Sequence, residues 1–250
     1  MNSKLRLLPS LLLTCVLAAT VLAQTSPDVS KYPDPSTLPG KGPTNVWSGL
    51  PGVWARRHQS WAGHAAQDHG ALVFLGDSIT QGFEPLGQFF PGVKVANRGI
   101  GGDTTRGVLY RLDPDVLDLD PEGIVLLIGT NDIGIGADPD DVIDNIKTIL
   151  ARMKAHNAKM PVIVCLVMPR SDGHVQRADK LRKLNAAIQQ AIQGEPQFTL
   201  CDTWSLFADA NGDCPADLFP DHLHPNKVGN QKWAEALRPL LQQRSLISHS

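Results

Sequence analysis

The sequence predicts an α/β fold in which a parallel sheet is covered by helices on both faces. Short apolar runs alternate with segments of helical period through most of the chain. The runs at 124–128 and 162–167 are continuous apolar stretches of Ile, Val and Leu, broken in type only by Cys165, as strands buried on both faces require. At 250 residues the chain can fill one domain well, but not two ordinary ones with a linker.

Lys4 and Arg6 make the start positive, and residues 7–22 form an apolar stretch interrupted by Pro9. Val21-Leu22-Ala23 supplies small residues at cleavage-site positions, so residues 1–23 are expected to be an export signal cut near Ala23. A membrane span needs about 20 unbroken apolar residues. No stable membrane insertion is therefore expected after cleavage, and the mature chain would be secreted or periplasmic. Residues 24–52 carry Pro27, Pro33, Pro35, Pro39, Pro43 and Pro51 and read as an extended leader, either disordered or draped over the domain. The domain itself is expected over residues 53–245.

A helix is predicted over 53–68, with Trp54 and Trp61 seven apart on one face. Core packing is the favoured role of that pair over stacking on a sugar. Strands are predicted at 71–75, 93–96, 124–128 and 162–167, with a weaker one at 198–200. Helices are predicted at 140–156 (Val142, Ile143, Ile146, Ile149, Leu150 and Met153 in one stripe), at 175–193 and at 227–241. Alternating strands and helices imply right-handed crossovers, and ligands then bind beyond the carboxyl ends of the strands.

A net charge of −2 and the lack of any Lys/Arg run argue against a nucleic-acid partner. Losing the signal removes Cys15 and leaves Cys165, Cys201 and Cys214, so at most one disulfide can form. Cys165 and Cys201 sit in apolar runs and are expected as buried thiols.

The chemistry-bearing residues gather at the strand ends. The first strand leads into Gly76-Asp77-Ser78-Ile79-Thr80, where Ser78 is either a nucleophile facing the crevice or a helix cap. The second leads into Asn97-Arg98-Gly99-Ile100-Gly101-Gly102-Asp103-Thr104-Thr105. A dinucleotide fingerprint needs glycine where Thr104 stands, and no P-loop Lys-Ser/Thr pair follows. An oxyanion or turn role remains, and no cofactor is expected. The third ends in Gly129-Thr130-Asn131-Asp132, where Asn131 either donates into the crevice or stabilises a turn. Near the C-terminus, Asp221 and His224 are three apart, so one loop can bring a carboxylate to an imidazole. His222 and His224 with Asp221 form no convincing zinc site, because no further cluster completes it; no metal is expected, and His222 has no assigned task.

Taken together and in order, these blocks resemble those of the GDSL, or SGNH, hydrolase superfamily over about residues 70–240. Residues 97–105, 106–112, Met168-Pro169-Arg170 and Asp221-His222-Leu223-His224 are especially similar to the branch of the platelet-activating-factor acetylhydrolase catalytic subunits. Ile79 replaces the leucine of the family name, and the Gly-x-Ser-x-Gly of α/β-hydrolases is absent. The resemblance implies a three-layer α/β/α sandwich around a five-stranded parallel sheet, flavodoxin-like. It implies Ser78 as nucleophile, His224 as general base and Asp221 as its orienting carboxylate. The implied oxyanion donors are the N–H groups of Ser78 and Gly102 and the amide of Asn131; Gly102 is taken over Gly99 because the family's donor glycine commonly precedes the acidic residue, here Asp103. The expected activity is hydrolysis of short-chain, chiefly acetyl, esters of small molecules or carbohydrate. A catalytically silent glycan-binding module and an esterase for phospholipid-like acetyl esters are the alternatives.

Overall fold

The computed structural model describes residues 29–46, 51–171 and 175–248, so the expected export signal lies outside the described residues. Strands β1 (Leu72–Gly76), β2 (Val95–Gly99), β3 (Gly123–Leu127), β4 (Val162–Cys165) and β5 (Phe198–Cys201) pair in parallel in the order β2-β1-β3-β4-β5. Helices α1 (Pro51–Ala62) and α2 (Ala65–Asp68) precede the sheet, and α3 (Ser78–Gln81) and α4 (Leu86–Phe89) connect β1 to β2. Then α5 (Thr105–Asp115) leads towards β3, and α6 (Thr130–Gly134) and α7 (Pro139–His156) towards β4. Finally α8 (Val175–Ile192) precedes β5, and α9 (Thr203–Phe207) and α10 (Lys227–Gln243) follow it.

Because side chains alternate along a strand, each strand feeds two cores. Val73, Leu75, Ile124, Leu126, Val162 and Val164 pack under α5, α7 and α8 through residues such as Leu112, Ile149 and Leu184. Leu72, Phe74, Val125, Leu127, Ile163 and Cys165 pack under α3, α4 and α10 through Ile79, Phe89 and Trp233. This is the three-layer sandwich that the sequence implies. The order reverses between β1 and β3, the switch point at which such sheets bind ligands.

Several boundaries differ from the sequence expectation for identifiable reasons. Strand β2 continues through Asn97 and Arg98 to Gly99, although hydropathy ends it at residue 96. Both polar residues are buried because both are partnered: Asn97 Nδ2 donates to the Thr80 carbonyl at 2.8 Å, and the Arg98 guanidinium to Asp68 at 2.7 Å. The helix expected over 53–68 is two helices, broken at Gly63-His64. Helix α5 has no clean apolar stripe, yet Thr104 caps it by accepting the Gly107 N–H.

Residues 29–46 of the leader are draped on the domain. Tyr32 donates to Asp115 at 2.6 Å, Thr104 donates to the Pro43 carbonyl at 2.6 Å, and Asn145 donates to the Lys41 carbonyl at 2.9 Å. Trp54 stacks on His58 with ring centroids 4.3 Å apart, and Trp61 lies under the guanidinium groups of Arg57 and Arg98. Both tryptophans are thus engaged within the protein. Cys165, Cys201 and Cys214 are buried and unpaired. No helix among the described residues is long and apolar enough to cross a membrane.

Candidate active site

Gly76 at the end of β1 lies beside Gly99 of β2 and Leu127 of β3, so the segments that follow these strands share one edge of the sheet. On leaving β1 the chain turns directly into α3. The carboxylate of Asp77 caps that helix by accepting the Ile79 N–H at 2.9 Å. Ser78 is therefore not the cap. Its hydroxyl is partly exposed and lies 2.8 Å from His224 Nε2.

His224 is held by a tightly bonded loop. Buried Phe219 anchors it, and the His222 N–H returns to the Phe219 carbonyl at 2.9 Å. Asp221 Oδ1 accepts the N–H groups of Leu223 and His224 at 3.1 and 2.7 Å, while Oδ2 lies 2.6 Å from His224 Nδ1. Burial pushes the Asp221 carboxyl up, but the bonds from the His224 ring and the two backbone N–H groups outweigh it and hold the pKa at about 2. Asn226 then caps α10 through the Val228 and Gly229 N–H groups, which fixes the loop's far end. His222 contributes its backbone, its carbonyl accepting the Ser171 N–H at 3.0 Å. A carboxylate on Nδ1 favours the tautomer whose Nε2 lone pair faces the Ser78 hydroxyl, the arrangement that removes a proton from a serine.

The loop after β2 can be accounted for bond by bond. The Ile100 N–H goes to the Gly76 carbonyl at 3.1 Å, and the Gly101 N–H to Gln81 Oε1 at 2.7 Å. The Gly101 carbonyl accepts Asn45 Nδ2 at 3.1 Å, and the Gly102 carbonyl accepts the Val46 N–H at 2.9 Å. The Asp103 N–H goes to the Ile100 carbonyl at 3.1 Å, and the Asp103 carbonyl accepts Asn131 Nδ2 at 2.8 Å. Of the N–H groups from Ile100 to Asp103, only that of Gly102 has no acceptor among the described residues. The Asn131 amide bonds past the end of β1 to the loop after β2, not within its own turn. The Ser78 N–H, first in α3, belongs to the donors a helix leaves unpaired.

Buried charges brace these segments. Arg111 reaches Asp103 at 2.7 Å and the Gly76 carbonyl at 3.0 Å, tying the β2 loop to the end of β1. Asp132 accepts the Thr105 N–H and hydroxyl. Burial raises Asp77 to about 7, a rise opposed by the Ile79 N–H and reinforced by Asp103 and Asp132. Burial likewise raises Asp103 to about 7 against the pull of Arg111, and Asp132 to about 6 against the Thr105 bonds. Sequence reasoning passed over Gln81, Arg111 and Asn45. None of the three offered a local signal: Arg111 shares its side of α5 with Gly107 and Asp115, and the partners of Gln81 and Asn45 lie far along the chain. Among the described residues, no group of three or more His, Cys, Asp or Glu is placed to hold a metal ion.

Comparison with known proteins agrees with this architecture. The model of the GDSL-like lipase/acylhydrolase family matches residues 74–232. Over 194 residues the chain is 28% identical to the platelet-activating factor acetylhydrolase IB subunit alpha1 of Bos taurus, covering 76% of this chain and 83% of that one. Among solved structures, a GDSL-like lipase from Bacteroides thetaiotaomicron shares the fold with a TM-score of 0.64 at 23% identity, covering 74% of this chain and 97% of that one. A catalytic mutant of an acetylxylan esterase from Geobacillus stearothermophilus does so with a TM-score of 0.58 at 20% identity, covering 72% of this chain and 97% of that one. The chain belongs to the GDSL-like lipase/acylhydrolase family and is a carboxylic ester hydrolase.

Proposed function

We propose that this hydrolase is an exported serine esterase that removes short acyl groups, acetyl foremost, from carbohydrate esters. The observation that carries the mechanism is the continuous contact from Asp221 Oδ2 to His224 Nδ1 at 2.6 Å and from His224 Nε2 to Ser78 Oγ at 2.8 Å. Ser78 Oγ attacks the ester carbonyl as its proton passes to His224 Nε2, and Asp221 stabilises the resulting imidazolium. The oxyanion accepts hydrogen bonds from the N–H groups of Ser78 and Gly102 and from the Asn131 amide. His224 protonates the leaving alcohol, and a water deprotonated by His224 then releases the acid from the acyl-enzyme.

The acetyl preference is supported by the nature of the relatives, an acetylhydrolase subunit and an acetylxylan esterase. Carbohydrate as the acylated partner is supported by the export signal read in residues 1–23. The likeness to the acetylhydrolase subunit favours a second reading, acetyl esters of phospholipid-like alcohols. Stoichiometric fluorophosphonate labelling that disappears in Ser78→Ala is the expected result, and it separates an enzyme from a silent binding module. Wild-type turnover of p-nitrophenyl acetate by Ser78→Ala would overturn the nucleophile. Acetylated xylan, pectin, sialate and short-chain lipid esters assayed side by side decide the substrate: faster turnover of the lipid esters overturns the carbohydrate reading.

A further inference from the structure

We propose that Asn45, in the leader that precedes the domain, is a positioning residue for the oxyanion hole, aiming the Gly102 N–H into the crevice. The proposal rests on the reading of Gly102 as an oxyanion donor.

The Gly101 carbonyl and the Gly102 N–H belong to one peptide unit, and in a planar trans peptide these two groups point in opposite directions. Asn45 Nδ2 donates to the Gly101 carbonyl at 3.1 Å. Drawing that carbonyl to the leader presents the N–H on the opposite side, where it has no acceptor among the described residues. Nothing within the loop fixes this choice. The unit is flanked by glycine on both sides, and Gly102 sits at φ +73°, where glycine meets no steric penalty and a turned-over peptide costs little. An external donor is needed to select one orientation. A turned peptide would place a carbonyl oxygen where the oxyanion forms.

The leader is itself held firmly enough to serve as a reference. The adjoining Val46 N–H bonds the Gly102 carbonyl at 2.9 Å, so two successive loop carbonyls are held from the same side. Thr104 donates to the Pro43 carbonyl at 2.6 Å. Asn145 brackets Lys41, accepting its N–H at 3.2 Å and donating to its carbonyl at 2.9 Å. Arg106 donates to the Gly42 carbonyl at 2.9 Å and to the Pro35 carbonyl at 3.1 Å. The segment thus acts as a strap across the β2 loop and the start of α5.

The test uses the mature chain with p-nitrophenyl acetate, with kcat expressed per active site titrated by a fluorophosphonate. Asn45→Asp is nearly isosteric but has no donor for the carbonyl, and Asn45→Ala removes the side chain. Both should lower kcat and the labelling rate about ten-fold or more while KM stays within about two-fold, because the lost interaction exists only in the transition state. Asn45→Gln keeps an amide donor and should recover part of the loss. Asn131→Ala serves as the reference for the hole. If Asn131→Ala loses activity while all Asn45 variants keep wild-type kcat per titrated site, the strap proposal is overturned and the oxyanion hole stands. If Asn131→Ala keeps full kcat, the oxyanion reading falls and the proposal falls with it. A loss of titratable sites with unchanged kcat per site assigns Asn45 a purely structural role and also overturns the proposal.

Discussion

Asp77 takes the helix cap after β1, where the sequence left Ser78 as either nucleophile or cap. Asp77 satisfies the first turn of α3, so the serine hydroxyl is left to meet His224 at 2.8 Å. One N–H of the Asn131 amide already holds the Asp103 carbonyl, and under the proposed mechanism the second meets the substrate oxyanion. Asn131→Ala is therefore expected to lower kcat on the order of 10²–10³ with little change in KM, measured with p-nitrophenyl acetate. Ser78, Asn131, Asp221 and His224 were all legible, because each directly follows a recognisable strand or lies in a compact acidic-His loop. Gln81, Arg111 and Asn45 were not. Their partners are backbone carbonyls or N–H groups 20, 35 and 56 positions away, and such pairings leave no local pattern.

Helix α5 and the strap are built against each other. A Cβ on Gly107 would stand 2.0 Å from the Thr44 carbonyl oxygen and 1.9 Å from Asp103 Oδ1, so only glycine lets the two segments close. Gly107→Ala should cost about 1–3 kcal/mol, the usual range for overpacking. It should also lower esterase activity, since Asp103 adjoins Gly102. Urea denaturation together with kcat per titrated site checks both effects, and an alanine variant of unchanged stability would refute the contact. The same kind of tertiary pairing explains why β2 outran its hydropathy. The long helices α7, α8 and α10 were read nearly to the residue, because their apolar stripes face a sheet that demands them.

Beneath the strand ends, three buried carboxylates couple stability to pH. Burial raises Asp77 from 3.8 to about 7, so the folded chain holds this proton more tightly than the unfolded one. Between those values unfolding releases a proton, and stability falls as pH rises. The contribution is complete below about pH 4 and is lost as pH rises through about 7. Asp77→Asn keeps an acceptor for Ile79 but cannot ionise. Its Tm relative to wild type should therefore climb from pH 4 to 7 and level off above, as followed by thermal denaturation across that range. Asp103 and Asp132 titrate in the same direction in both proteins; their repulsion with Asp77 exists only in the wild type and adds to the climb with the same sign. Asp221 has the opposite sign: its stabilising contribution is lost only as pH falls from 3.8 towards about 2, outside that window. A Tm difference that stays flat with pH would falsify the linkage.

The sequence by itself determined the layered α/β class and pointed to the strand ends as the candidate site, because periodicity and short motifs are local properties of the chain. Tertiary structure decided what those motifs could not: that Asp77 is the cap, that β2 carries buried polar residues, and that the Gly102 N–H has no acceptor among the described residues. It also turned the leader from a tail of undetermined state into a strap over the β2 loop. The Asp77 cap is a local bond to Ile79, but Ser78 is drawn to a histidine 146 positions away. The other three depend on which distant groups satisfy buried donors and acceptors, and that is settled only when the chain closes on itself.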